Sequence, residues 1–303
     1  MGIKLYREPR IENPVLVASW PGIGNIGIIA VDALRQIFEA EEFAEIEPWH
    51  FFYPKRVLIR NGVLESMEFP TSKFYISRVG SKDLILFIGE EQPGEGVRAY
   101  AAGKKAYRMA NLVLDVAERF RCERIYTSGA AVALTHHTMK PRVWAVPNTE
   151  RLLQEVGEYQ NAILMSDIEG RGGQGNITGL NGLLLGVARK RGVDAVCLMG
   201  ETPVYLQGLP VSYPKASKSV LGVLGQCLGI QVSLHGLDEM EREVERAVEE
   251  FYRQLPSEMR EQLDRLKPAP YAEPGDLGPI TEDEERRIME DVERFFKEGG
   301  QGD

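Results

Sequence analysis

The sequence predicts an α/β protein: a three-layer α/β/α domain with a mainly parallel central sheet, followed by a C-terminal helical extension. Three observations support this fold class. Short apolar segments alternate with amphipathic segments of ten or more residues, which is typical of βαβ units. Leu84–Ile88 is apolar throughout, as in a strand covered on both faces. From about Leu237 onward, strand-forming residues are few and charged amphipathic segments dominate.

The first elements are predicted to be a strand, a glycine-containing turn and a helix. Val15–Trp20 is an apolar run that stops at Pro21-Gly22, which indicates a buried strand. Asn25–Ala40 has apolar residues at helical spacing, which indicates a helix. The same two criteria predict, in chain order, strands at Val57–Ile59, Lys73–Val79, Leu84–Gly89, Arg124–Ser128, Val143–Val146, Ala162–Met165 and Ala195–Met199. They also predict helices at Gly96–Arg121, Thr149–Val156, Leu180–Arg191 and Ala216–Leu228.

The change in composition near Leu237 divides the 303-residue chain into an α/β/α domain over 1–235 and an acidic helical extension over 236–303. The extension is predicted to contain helices at Asp238–Leu255, Pro256–Leu266 and Thr281–Lys297. The net charge of the chain is −9. The domain carries 26 basic and 24 acidic side chains and the extension 10 and 21, so the excess negative charge lies in the extension. Two interpretations follow: a solvated cover on the domain, which is favoured, or an acidic arm that steers a basic partner or keeps subunits apart.

Composition and charge exclude several classes of function. The acidic balance argues against a nucleic-acid-binding protein, which needs a dense field of Lys and Arg. No apolar run approaches the roughly 20 residues that span a bilayer, so no membrane partner and a cytoplasmic location are expected. Three cysteines without a Cys-x-x-Cys pair and four histidines predict no metal site, and no cofactor is predicted.

Gly22-Ile-Gly24-Asn-Ile-Gly27 is a G-x-G-x-x-G motif between the first predicted strand and helix. That context fits a dinucleotide fingerprint, in which the helix N-terminus faces a pyrophosphate. The alternative is that the glycines let the chain turn sharply and let the helix pack closely on the sheet. The packing interpretation is favoured, because the motif alone has low specificity. Gly24 and Asn25 are retained as candidate ligand-binding residues.

A second glycine-rich segment spans 170–182 and precedes an apolar helix. Its backbone N–H groups have the pattern of an anion cradle, and Thr178 or Asn181 is a candidate helix cap. The alternative, which is favoured, is a surface loop whose glycines allow close helix contact. Thr178 and Asn181 are both retained as candidate ligand contacts.

Four further candidates complete the predicted ligand-binding set. Glu90 and Gln92 follow the apolar strand at the carboxyl edge of the sheet, where open α/β sheets bind ligands. Lys215 and Lys218 lie near the start of a helix, where they are positioned either to bind an anion or to be solvated. No nucleophile, base and orienting group occur together, so no catalytic residue is predicted.

Three segments together resemble the proteasome assembly chaperone 2 family. They are Ser19-Trp-Pro-Gly-Ile-Gly-Asn-Ile-Gly27, Gly175-Asn-Ile-Thr-Gly-Leu-Asn-Gly-Leu-Leu-Leu185, and Thr202-Pro-Val-Tyr-Leu206 with Pro214-Lys-Ala-Ser-Lys218. The resemblance covers about residues 10–235. It implies an α/β/α domain akin to the purine nucleoside phosphorylase and hydrolase-like folds, and no established catalytic activity.

The resemblance also implies protein partners. Eukaryotic members act in pairs as scaffolds for the proteasome α-ring, and archaeal members form homo-oligomers that engage the proteasome core. Members that dock on the proteasome often end in a tail of a hydrophobic residue, tyrosine and any residue. The sequence here ends Gly300-Gln-Gly-Asp303, which departs from that pattern, so docking through such a tail is not expected.

Two functional hypotheses remain open. The leading one is a non-enzymatic, homo-oligomeric interaction protein, whose partners are further copies of itself and, where the source has them, proteasome core subunits. The alternative is an enzyme or sensor that binds a phosphate- or carboxylate-bearing small molecule with the glycine-rich loops at the carboxyl edge of the sheet.

Overall fold

The computed structural model describes residues 2–80, 82–94, 103–168, 174–267 and 282–297. The strands are β1 Ile3–Leu5, β2 Val15–Ser19, β3 Glu41–Ile46, β4 Arg56–Arg60, β5 Val63–Glu68, β6 Ser72–Val79, β7 Lys82–Gly89, β8 Arg124–Ala133, β9 Val143–Pro147, β10 Ala162–Leu164 and β11 Ala195–Pro203. The helices are α1 Ile26–Ile37, α2 Gly103–Arg119, α3 Leu153–Gly157, α4 Gly179–Arg191, α5 Pro214–Leu228, α6 Asp238–Gln254, α7 Ser257–Asp264 and α8 Glu282–Lys297.

The predicted α/β fold is confirmed, with a mixed central sheet. Among the described residues, nine strands form one sheet in the order β1-β3-β6-β7-β2-β8-β11-β9-β10. The four central strands, β7, β2, β8 and β11, are parallel to one another. Antiparallel pairs extend the sheet on both sides of this centre. The strands β6 and β7 are consecutive in the chain and antiparallel, whereas parallel neighbours need long crossovers.

The sheet separates two hydrophobic layers. Along β2, Val15 and Val17 face the cluster that contains α1 and α5, while Leu16 and Ala18 face the cluster that contains α2 and α4. This follows from the alternation of side chains along a strand. Because β2 is buried on both sides, its residues are apolar except for Ser19 at the end of the strand. Each fully buried Leu or Val in these layers stabilises the fold by about 2 kcal/mol relative to an exposed one.

The C-terminal helices pack against one of these two layers. Val248 and Tyr252 of α6, Met259 and Leu263 of α7, and Ile288 and Val292 of α8 are all buried in the cluster that contains α1 and α5. The extension therefore covers the α1/α5 side of the α/β unit and shares its core. The division at residue 235 remains a prediction about independent folding.

Several elements differ from the sequence-based boundaries. β1, β3 and β5 were not predicted, because β1 is only three residues long and β3 and β5 carry interspersed glutamates. Helix α1 ends at Ile37 rather than Ala40, since Glu39 adopts a left-handed conformation (φ 47°). Residues 96–102 of the predicted helix before Arg121 and the predicted cap Thr281 lie outside the described residues.

Candidate functional site

The G-x-G-x-x-G turn packs against the chain itself at the carboxyl edge of β2. Gly24 (φ 60°) and Asn25 (φ 50°) both adopt the left-handed conformation. The Tyr213 backbone N–H donates to the Gly24 carbonyl at 2.7 Å. A Cβ on Gly24 would lie 2.9 Å from the Tyr213 Cβ. Asn25 Nδ2 lies 3.4 Å from Ser212 Oγ, so both candidate residues contact the segment that leads into α5.

The third glycine of the motif lets α1 touch the sheet. A Cβ on Gly27 would lie 2.1 Å from the Ser128 carbonyl oxygen of β8 and 2.6 Å from Ser19 Oγ. Ser19 Oγ donates to the same carbonyl at 3.1 Å. Real Cβ atoms do not approach a carbonyl this closely, because such a contact is strongly repulsive. The glycine is therefore needed for packing, whether or not a ligand binds.

Gln92 joins the loop after β2 to the start of α4. Its Nε2 donates to the Pro21 carbonyl at 2.6 Å, and its Oε1 accepts from the Leu180 backbone N–H at 3.1 Å. Thr178 occupies the N-cap position of α4 but makes no capping hydrogen bond through its side chain. Gln92, 88 residues away in sequence, satisfies one of the unpaired helix N–H groups instead. Asn181 Nδ2 donates to the Ser128 carbonyl at 2.8 Å and ties α4 to β8.

A cavity of about 310 Å³ opens between these segments at the carboxyl edge of the sheet. Its described lining includes Gln92, Thr178 and Asn181 from the predicted set, together with Trp20 and Trp144. No charged residue occurs among the described residues that line it. Asn181 Oδ1 is buried and has no hydrogen-bond partner among the described residues. The cavity thus presents amides, a hydroxyl and aromatic rings, which suit a neutral group better than an anion.

Replacing Gln92 by alanine is expected to destabilise the protein by about 2 kcal/mol, because it leaves the Pro21 carbonyl and the Leu180 N–H without their partner. Chemical denaturation measures the change. The matched control is Glu91→Ala at the adjacent exposed position, which is expected to change stability by less than about 0.5 kcal/mol. Equal effects of the two substitutions would contradict the bridging role of Gln92.

Lys215 and Lys218 lie away from this cavity and bind the extension. Lys215 Nζ is 2.8 Å from Glu245 Oε1 and donates to the His137 carbonyl at 2.9 Å. Lys218 Nζ is 2.6 Å from Asp238 Oδ1 and also pairs with Glu241. Their charges are compensated by α6 carboxylates, so these lysines hold α6 against α5.

The remaining predicted carboxylate, Glu90, is also engaged within the chain. Its Oε2 accepts from Lys55 Nζ at 2.9 Å and from the Thr71 backbone N–H at 3.0 Å. Glu90 thereby fixes the base of the β4–β5 hairpin, and it does not line the cavity. The eight predicted residues thus divide into three at the cavity, two on the adjacent turn and three in contacts elsewhere.

An aromatic cluster joins the β8–β9 connection to the extension. The rings of His136 and His137 stack at 4.2 Å, and both contact Tyr252 of α6. His137 Nδ1 lies 2.8 Å from the Tyr205 hydroxyl, and its Nε2 lies 3.1 Å from Glu249 Oε2. Among the residues that the structure describes, no group of three or more metal-ligating side chains is assembled, here or elsewhere.

Comparison with known proteins identifies the family. The model of the PAC2 family matches residues 16–252, which is most of the chain and includes most of α6. This chain belongs to the PAC2 family. The resemblance predicted from the three sequence segments is therefore confirmed, and the matched region extends further toward the C-terminus than those segments.

Solved structures and a curated relative resemble this PAC2 chain over most of its length. PbaB of Pyrococcus furiosus, an archaeal proteasome activator, is 28% identical, with a TM-score of 0.67 over 82% of this chain and 97% of PbaB. PbaA of the same organism, an archaeal homologue of a proteasome-assembly chaperone, is 21% identical, with a TM-score of 0.61 over 88% and 97% of the two chains. An uncharacterised protein of Methanocaldococcus jannaschii is 27% identical over 244 residues, 80% of this chain and 84% of its own length.

Several residues that organise the site of this PAC2 protein were not predicted. Ser128, Tyr205 and Tyr252 act through contacts with residues distant in sequence, which no local pattern reveals. One signal was present: Asp238, Glu241, Glu245 and Glu249 recur at spacings of three and four, which places them on one face of a helix.

In the described part of the chain, no helix is long and apolar enough to cross a membrane.

Acid is expected to weaken the contact between the extension and the domain. Burial lowers the pKa of His136 to about 4, with His137 and Lys267 adding to the effect and Asp264 and Glu249 opposing it. The unfolded chain therefore takes up a proton before the folded one, so stability is full above pH 6.5 and falls as the pH drops toward 4. The full shift corresponds to about 3 kcal/mol.

Denaturation of the wild type and of His136→Phe at pH 7.5, 6, 5 and 4.5 measures this dependence. The variant is expected to lose less stability than the wild type across the series, whatever its stability at pH 7.5. The control His50→Phe, at an exposed position, should keep the wild-type slope. Parallel curves for the wild type and His136→Phe would contradict the assignment to His136.

Proposed function

We propose that this PAC2 protein is a non-enzymatic, homo-oligomeric interaction protein that engages proteasome core subunits or their assembly intermediates. The observation that carries the proposal is that the motif residues contact other parts of the chain itself. The space beside Gly24 is occupied by Tyr213, and the space beside Gly27 is occupied by Ser128. Gln92 bridges Pro21 to α4. The motif residues thus pack the carboxyl edge of the sheet, as expected for a scaffold.

The comparisons support the protein partner. PbaB, which is 28% identical, is named as an archaeal proteasome activator, and PbaA, which shares the fold, as a homologue of a proteasome-assembly chaperone. A proteasome-related role in this chain accounts for the family membership without requiring a catalytic set.

Co-elution and peptide hydrolysis with a purified archaeal 20S core, and with its isolated α subunits, test the proposal. The expected result is co-elution with at least one of the two, or a changed rate of peptide hydrolysis by the core. An unrelated protein of similar mass and net charge serves as the control, because it reproduces nonspecific electrostatic association. Absence of co-elution and of any rate change with both preparations would overturn the proteasome-related role.

A second candidate function is small-molecule binding at the carboxyl-edge cavity. The observation that favours it is Asn181 Oδ1, a buried acceptor without a partner among the described residues. A thermal-shift screen of nucleotides, sugar phosphates and neutral amides or sugars tests it. A ligand at 100 times its Kd stabilises by about 2.7 kcal/mol, which is readily detected. A hit abolished by Thr178→Trp, which would fill the cavity from its exposed rim, would support this function over the first.

A further inference from the structure

The segment that follows β3 packs against the first turns of α2. Phe51 is buried in the hydrophobic layer that contains α2 and α4. The guanidinium carbon of Arg108 lies 5.8 Å from the centre of its ring. Lys105 Nζ lies 5.9 Å from the centre of the Tyr53 ring. These contacts place residues 48–55 and the first turns of α2 on one surface of the protein.

This surface exposes large aromatic side chains. Tyr53 is 88% exposed, Trp49 is 60% exposed, and Tyr107 of α2 is 46% exposed. The Trp49 ring is supported by Phe69, whose ring centre lies 4.6 Å away. Trp and Tyr are the residue types that contribute most to binding at protein interfaces, where they are buried by the partner. Their joint exposure therefore indicates an interaction surface.

The same surface is basic. Lys104 and Tyr107 are both exposed and lie on one face of α2, since they are three residues apart. Lys105 adds a second ammonium group beside Tyr53. No acidic residue occurs in 48–55 or in 103–114. Within the described ranges of the chain, no carboxylate pairs with either lysine.

Trp49, Tyr53, Lys104, Lys105 and Tyr107 together form what we call the basic-aromatic patch. The acidic part of the chain lies on the other side of the sheet, because the described helices of residues 236–303 pack on the α1/α5 layer and α2 belongs to the opposite layer. Carboxylates of α6 already pair with the two α5 lysines. Two copies with a net charge of −9 each also repel one another. The charge of the patch therefore favours an acidic partner other than this chain.

Lysines beside exposed aromatic rings suit an acidic peptide or a single-stranded nucleic acid. A nucleic acid carries a charge on every nucleotide and needs an extended basic track, which two lysines in a chain of net charge −9 do not provide. A short acidic peptide needs only a few cations and stays clear of the acidic extension. The patch therefore fits the peptide better.

We propose that the basic-aromatic patch binds an acidic segment of a different protein, in which carboxylates alternate with apolar side chains. The carboxylates pair with Lys104 and Lys105, and the apolar side chains cover the rings of Trp49 and Tyr53. This inference rests on the proposed function and deepens it, because it names a surface and the partner chemistry that an interaction protein of this kind recognises.

Fluorescence anisotropy of a labelled peptide of alternating glutamates and leucines, titrated with the full chain, tests the proposal. The wild type is expected to bind the peptide, and added salt should weaken binding because exposed charges are screened. The double variant Lys104→Glu/Lys105→Glu should bind at least about ten-fold more weakly, since like charges then face each other. The matched control Arg189→Glu/Lys190→Glu makes the same change in net charge at exposed positions of α4 and should keep the wild-type affinity.

Tyr53→Ala tests the aromatic part of the patch. Its peptide affinity is expected to fall about five-fold or more, which corresponds to the loss of an important interface side chain. The melting temperature should be unchanged, because the Tyr53 side chain is almost fully exposed. Tyr53→Phe keeps the ring and should keep the affinity of the wild type.

Failure of the wild type to bind the peptide, or an equal loss of affinity in the two charge-reversed proteins, would overturn this inference. Tighter binding of a labelled thymidine oligomer, lost in Lys104→Glu/Lys105→Glu, would assign the patch to single-stranded nucleic acid and overturn it as well. A lower oligomer mass of that variant in light scattering would assign the patch to a second copy instead.

The proposed function fails separately from this inference. Co-elution with the 20S core or its α subunits is measured without the peptide. If the peptide binds at the patch and the core does not co-elute, the inference stands and the proteasome-related role is overturned. If the core co-elutes and the peptide does not bind, the inference alone is overturned.

Discussion

Gly27→Ala is expected to destabilise the protein by about 3 kcal/mol or more, the upper range for an overpacked core. The added Cβ would lie 2.1 Å from the Ser128 carbonyl oxygen. The closest neighbour belongs to the Ser128 backbone of the central strand β8, so it cannot give way as a flexible side-chain end would. The clash is relieved only if α1 moves away from β8, which opens the hydrophobic layer between this helix and the sheet. Urea denaturation of the purified variant measures the loss.

Gly22→Ala in the same motif is the control. Gly22 is extended (φ −164°), and a Cβ there meets nothing within 4 Å. The stability of the Gly22→Ala protein should therefore stay within about 0.5 kcal/mol of the wild type. The pair tests the packing role of Gly27, which a dinucleotide fingerprint shares at its third glycine, and it does not test ligand binding. A stable Gly27→Ala protein would contradict the packing role.

Tyr252→Ala is expected to lower the free energy of unfolding by about 3 to 5 kcal/mol, the usual range for truncating a buried aromatic side chain. The Tyr252 ring is buried against His136, His137 and Tyr205, and its hydroxyl donates to Asp264 Oδ1 at 2.7 Å. The substitution removes the central ring that joins the extension to the domain. Thermal denaturation and limited proteolysis should show a lower melting temperature and faster cleavage within α6 and α7.

Tyr107→Ala on the exposed face of α2 is the matched control, and it should change neither the melting temperature appreciably nor the cleavage pattern. If Tyr252→Ala lowered stability while α6 and α7 remained as resistant as in the wild type, the ring would serve the core generally and would not be specific to the extension. Wild-type stability in Tyr252→Ala would contradict the structural account of this contact.

The central fold could be predicted because its signals are local. An apolar run such as Val15–Trp20 and the helical spacing after Asn25 identify a strand and a helix without reference to the rest of the chain. The β3 strand could not be predicted in the same way. Its sequence, Glu41-Glu-Phe-Ala-Glu-Ile, carries three glutamates, and its pairing with β1 and β6 determines its structure.

The roles of the candidate site residues depended on distant partners. Gln92 was identified as a residue at the carboxyl edge, but its bond to Leu180 spans 88 residues. Lys218 was a candidate for binding an anionic ligand, but its ammonium group pairs with the α6 carboxylates of Asp238 and Glu241. The type of each residue and its position along a strand or helix could be inferred from the sequence. Tertiary packing determines whether its side chain is free to contact a ligand or binds another part of the chain.

The association state of the full chain tests the central claim most directly, because the function we propose is that of a homo-oligomer. Light scattering coupled to gel filtration, repeated from low to high micromolar concentration at pH 7.5, gives the molar mass. The account predicts a stable mass of at least twice 33.9 kDa, at an integral multiple of that value, throughout the range. A mass of 33.9 kDa at the highest concentration, in a folded protein, would contradict it.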